Sequence, residues 1–180
     1  MIESTLYSIG HGNKTIDKII SELKSFDIEY LVDVRTKPYS KWNPHFNQDV
    51  FKDILKKNNI GYIFLGNEIG GLPSDESCYT EDGKIDYSLI KTKDFFKKGI
   101  NRLLTANSKQ ISIATMCSET NPEECHRSKL IGKELLLKGI DTKHILEANK
   151  IKKQSAINVK LFGLFSNHED FDLSSKKSYR

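Results

Sequence analysis

Short apolar runs rich in β-forming residues alternate along this chain with segments whose apolar residues recur at helical spacing. That alternation constrains the fold more than any other feature. Residues 5–9, 30–34, 62–65, 111–116 and 143–146 read as five strands. Between them, Thr15 caps a helix with an apolar face of Ile16, Ile19, Ile20, Leu23 and Phe26. Val50, Phe51, Ile54 and Leu55 mark a second helix, and Phe95, Phe96, Ile100, Leu103 and Leu104 a third. Asn121-Pro122 opens a fourth, and Gly139 ends it. The run 30–34 is almost wholly apolar, as a strand covered on both faces must be. The pattern predicts a three-layer α/β domain: a mainly parallel sheet of about five strands with helices on both faces. It is Rossmann-like, but no Gly-x-Gly-x-x-Gly fingerprint is present. Residues 66–91 lack a clear period and contain Gly70, Gly71, Pro73 and Gly83, so they read as a lid, a binding loop or an excursion.

A length of 180 residues suits one domain with a substantial core. No stretch approaches the roughly 18 apolar residues of a membrane helix, and no basic region or signal-peptide core precedes the first strand. A cytoplasmic location without membrane contact is therefore expected. The net charge of +4 raises the question of nucleic acid, but the charge is unevenly placed. Residues 1–149 carry 21 charges of each sign, and residues 150–180 carry seven Lys/Arg against three Asp/Glu. The division expected is a neutral α/β domain over 1–149 and a basic C-terminal tail over 150–180. Any affinity for phosphate backbones belongs to that tail. Three cysteines are too few, and odd in number, for a disulfide framework.

Open parallel sheets bind ligands beyond the carboxyl ends of their strands, and the chemically capable residues lie there. Gly10-His11-Gly12-Asn13 follows the first strand; Asp33 and Arg35 end the second, with Ser40 beyond; Cys117 and Glu119 follow the fourth. Cys125, His126 and Arg127 fall in the first two turns of the helix expected after Pro122. Arginine is scarce, only four of 28 cations, yet Arg35 and Arg127 both occur in these segments. A guanidinium fork suits carboxylate or phosphate better than lysine does. Cys117, facing a helix N-terminus, is the candidate nucleophile, with a thiol pKa expected to be lowered. His11, Asp33, Glu119 and His126 are the candidate proton carriers. Arg35 and Arg127, with Asn13, Ser40 and Cys125, are the candidate substrate contacts for a small anion. Each has a plainer reading: a turn histidine, a structural Asp33–Arg35 ion pair, a small buried cysteine.

The blocks Ser8-Ile-Gly-His-Gly-Asn13, Val32-Asp-Val-Arg35 with Pro38 and Ser40, Met116-Cys-Ser-Glu119 and Cys125-His-Arg127 together resemble the DUF488 family. The resemblance covers residues 5–146, with every block in order. It implies a three-layer α/β fold and brings no activity with it. Lys41 stands where many members have arginine after the serine, and Ile69-Gly70-Gly71 where Leu-Gly-Gly is familiar.

Three functions compete. The first is an enzyme or binding domain for a small anionic, nucleotide-related substrate. The second is a nucleic-acid-associated accessory protein working through its tail. The third is a thiol redox protein using Cys117 and Cys125. No metal or other cofactor is expected. Cys-x7-Cys-His lacks the paired spacing of ordinary zinc sites, and adjacent residues on a helix diverge by about 100°. Nine residues between Cys117 and Arg127 exclude a Cys-x5-Arg phosphatase loop. Asn158-Val-Lys-Leu-Phe162 resembles a sliding-clamp docking peptide, although five-residue resemblances are cheap and an apolar segment packing on its own domain is the preferred account.

Overall fold

The structure is a computed structural model that describes residues 4–158. Six strands form one sheet: β1 (Leu6–Gly10), β2 (Tyr30–Asp33), β3 (Gly61–Phe64), β4 (Ile113–Cys117), β5 (Lys143–Glu147) and β6 (Lys150–Lys153). Their order is β3-β2-β4-β1-β5-β6. The first five are parallel, and β6 returns antiparallel to β5.

Strand alternation sorts side chains to two cores. Ile9, Leu31, Ala114 and Met116 point to one face, where they meet Ile19, Ile20 and Leu23 of α1 (Ile16–Lys24) and Phe51 and Leu55 of α2 (Gln48–Lys57). Leu6, Val32, Val34, Ile113 and Cys117 point to the other, against the later helices. The chain winds outward through α1 and α2 to β3, then turns back on the opposite face to β4 and β5. The direction of winding thus reverses around β1, β4 and β2, and the crevice at their carboxyl ends is where such sheets take ligands. The Thr15 hydroxyl caps α1, accepting from the Lys18 amide at 3.3 Å, as the sequence predicts.

Three expectations need correction. The aperiodic stretch 66–91 is packed rather than loose: α3 (Gly66–Ile69) and α4 (Tyr87–Thr92) lie along α5 (Asp94–Ser108), and a 3₁₀ turn (Glu76–Cys78) packs on α4. Ile69, Cys78, Ile85, Tyr87 and Ile90 are buried there. Elements of one or two turns are too short to display a helical period. Second, no single helix runs from Asn121 to Gly139. Asn121 caps only a 3₁₀ turn (Pro122–Glu124), accepting from the Glu123 amide at 3.1 Å. Cys125 is then extended (φ −112°, ψ 150°). The helical path restarts with wide π-type turns over Arg127–Gly132 and tightens into α6 (Lys133–Leu137). Such widened turns are frequent at functional sites.

Third, regular structure continues past residue 149, where the basic tail is expected to begin. β6 completes the sheet, residues 154–158 are helical, and Gln154 and Ile157 are buried. Three of the seven cations expected in the tail, Lys150, Lys152 and Lys153, belong to β6. Among the described residues no helix is long and apolar enough to cross a membrane.

Candidate functional site

Asp33 and Arg35 are two residues apart at the end of β2, so their side chains leave the same face of the sheet, that of α1 and α2. Both are buried. The Asp33 carboxylate accepts from the Arg35 amide (3.0 Å), from its Nε (2.9 Å) and from its Nη2 (2.6 Å), and also from the Tyr62 hydroxyl (2.8 Å). Burial, then the Asp33 charge, pushes the Tyr62 hydroxyl far up, so it remains a donor. Arg35 Nη2 also donates to the Phe46 carbonyl at 2.8 Å, and Nη1 lies 3.4 Å from His11 Nε2. His11 stacks on Phe46 with ring centroids 4.4 Å apart. Its Nδ1 lies 2.9 Å from the Gly12 carbonyl. A proton on Nδ1 satisfies that carbonyl and leaves Nε2 to accept from Arg35. Burial lowers the His11 pKa to about 4, so the ring is neutral near pH 7. His11 and Asp33 therefore hold Arg35 in place from behind.

The thiols leave β4 and its successor on the opposite face. Arg127 is wholly buried, and its donors are occupied. Nε points at Cys117 Sγ (2.9 Å), Nη1 at the Ser8 hydroxyl (3.1 Å), and Nη2 at the carbonyls of Glu119 (2.6 Å) and Thr120 (2.9 Å). From Ser8 the network continues to His144 Nδ1 (2.6 Å), and from His144 Nε2 to the Gln154 side-chain carbonyl (2.8 Å). Burial lowers the His144 pKa to about 4, and each ring nitrogen has one partner. Gly10 makes the arrangement possible. A Cβ there would lie 1.9 Å from the Glu119 carbonyl oxygen and 2.6 Å from Arg127 Nη2.

Arg35, Cys117, Glu119, Cys125 and His126 line one cavity of ≈ 190 Å³ at the crevice, together with Lys37. Cys117, Glu119 and Cys125 bring ligand-type atoms within 4.8 Å of one another. Cys125 Sγ is 3.4 Å from Glu119 Oε2 and 3.6 Å from His126 Nδ1. His126 Nε2 lies 3.1 Å from the Val34 carbonyl, which takes its proton and leaves the Nδ1 lone pair 3.6 Å from Cys125 Sγ. Gly71 covers this ring; a Cβ on it would stand 2.8 Å from Nδ1. Burial works to raise the Glu119 carboxyl, but contacts with the two thiols, its own amide and His126 outweigh it and hold the group below the ordinary range. A wider hollow of ≈ 660 Å³ runs along α5, but it is open and lined by lysines and Arg102, a solvated basic face.

Several expected roles fall elsewhere. Arg127 does not reach the cavity and its fork is committed to the protein, so it serves as an internal brace rather than an anion clamp. Asn13 is exposed on a turn. Ser40 organises the following loop, its hydroxyl accepting from the Trp42 and Asn43 amides, both at 3.2 Å. Burial pushes the Cys117 thiol well above its ordinary value, opposite to the lowering expected; no helix N-terminus faces it, and Arg127 and His126 do not offset its burial. Sequence reasoning missed Lys37, Gly71, Leu72 and Tyr87 in the cavity wall. Adjacency to Arg35 could have flagged Lys37; the others lie in the aperiodic stretch.

The fold and crevice define a parallel α/β domain with a two-thiol cleft at the point where its winding reverses. The chain belongs to DUF488, a domain of unknown function, whose sequence profile matches residues 15–133. That match includes the Asp33, Arg35, Cys117 and Cys125–Arg127 blocks and begins after Ser8–Asn13. No curated protein and no solved structure matches the chain.

Proposed function

We propose that the protein is an enzyme acting on a small, negatively charged substrate held in the cleft at the ends of β2 and β4. The supporting observation is convergence: reactive side chains from β4, the Cys125 segment and the end of β2 line one cavity. Exposed Lys37 supplies the cation at the mouth, and Arg35, committed to Asp33, Phe46 and His11, shapes the wall behind it. Glu119 Oε2 and His126 Nδ1 present acceptor atoms to the Cys125 sulfur, at 3.4 and 3.6 Å. The test is thermal-shift screening against nucleotides, sugar phosphates and carboxylic acids. Selected anions should raise the melting temperature, with a smaller rise in Lys37→Ala. Equal rises in both chains, or none in either, would end the reading.

The approach of Cys117 to Cys125 also supports a second reading, a dithiol oxidised to a disulfide by a low-molecular-weight disulfide, which leaves as two thiols. The nucleic-acid reading is weakened, because Lys150 and Lys152 are ion-paired to Glu147 and Glu123 within the folded unit. The segment 159–180, with most of the clamp-like peptide, lies outside the described residues.

A further inference from the structure

We infer that Cys117, Cys125, Glu119 and His126 form a four-ligand site for a borderline-soft divalent cation of the zinc class. This deepens the reading of the cleft and rests on it for the cation's use, not for its binding.

The donor set is two sulfurs, one imidazole nitrogen and one carboxylate oxygen, the ligand types such a cation takes. Zinc–sulfur bonds of about 2.3 Å and zinc–nitrogen or zinc–oxygen bonds of about 2.1 Å at tetrahedral angles separate the ligand atoms by about 3.6 Å. Cys125 Sγ lies 3.6 Å from His126 Nδ1 and 3.4 Å from Glu119 Oε2. Cys117, Glu119 and Cys125 bring their ligand atoms within 4.8 Å of one another, and His126 Nδ1 adjoins this trio through Cys125 Sγ. The objection that neighbouring residues diverge on a helix does not apply, because Cys125 is extended and only His126 begins the helical path.

The surroundings also match what a metal centre needs. The Val34 carbonyl fixes the imidazole tautomer, leaving Nδ1 as the ligand atom. Arg127 Nε and its backbone amide point at the two sulfurs, at 2.9 and 3.4 Å. Two thiolates and a carboxylate on a dication leave one excess negative charge, and the buried Arg127 guanidinium cancels it. On loading, both thiols lose their protons to solvent as the metal–sulfur bonds form, with no change of oxidation state.

The experiment uses the full chain, reduced and stripped by chelator, then titrated with Co²⁺. Thiolate-to-metal absorption should saturate near one equivalent and disappear when Zn²⁺ is added. Cys117→Ser and Cys125→Ser should each lose most of the absorption, His126→Ala should weaken binding about tenfold or more, and Cys78→Ser should leave it unchanged. If a serine variant fails to fold, the wild-type titration still decides. No charge-transfer band in the reduced wild-type chain overturns the site, as does a band that survives loss of both thiols. Anion stabilisation without a cobalt band removes the metal and keeps the cleft reading. A cobalt band without any anion response removes the anionic substrate and keeps the metal.

Discussion

Asp33 neutralises the Arg35 guanidinium in a setting closed to water, and Tyr62 completes its hydrogen bonds. Removing one partner of a buried pair strands the other, so Asp33→Asn should cost about 3 kcal/mol or more in urea unfolding. Tyr62→Phe deletes one bond to a charged acceptor and should cost about 1.5 kcal/mol. His11 and His144 set an acid limit. Their folded pKa values are about 4, against 6.5 for the free group, so between those values the unfolded chain binds more protons. Stability should therefore be fully present above pH 6.5 and fall as the pH drops toward 4, by up to about 3 kcal/mol per histidine. Denaturation midpoints across that range should show the slope, and His144→Asn should flatten it. A profile flat from pH 7 to 4 would contradict the buried neutral imidazoles.

At the scale of elements, the end of β1 and the segment after β4 meet with no room between them. Gly10 lies under the Glu119 carbonyl, which itself accepts from Arg127. Gly10→Ala should push residues 119–120 outward, loosen Arg127 and destabilise by about 2 kcal/mol. Its denaturation midpoint should fall while Gly139→Ala, at a helix end with open space but φ +81°, loses stability only through backbone strain. The break at Cys125 matters in the same way. One extended residue between a 3₁₀ turn and π-type turns brings its sulfur beside the next residue's imidazole, which a continuous helix would have kept apart.

For the whole molecule, β6 and residues 154–158 close one edge of the sheet, and Gln154 supplies the last partner of the Arg127–Ser8–His144 network. A chain ended after residue 149 should therefore melt more than about 10 °C below the full chain, or lose its cooperative transition. An unchanged melting temperature would show the boundary to lie at 149 after all. The five parallel strands and their helices were legible because the period of apolar residues is a local property, written over a few consecutive positions. The order of elements puts His11, Asp33, Arg35 and Cys117 at the carboxyl ends of strands, but does not tell which of them share the cavity. Charge counting, by contrast, could not show β6, because Lys150, Lys152 and Lys153 look like tail until Ile145 and Ile151 are seen paired across the strands. Nor could spacing tell that Arg127 turns inward as a brace while Arg35 lines the cavity. Side-chain direction there depends on a break at Cys125 and on packing against Gly10, which lies more than a hundred residues away along the chain.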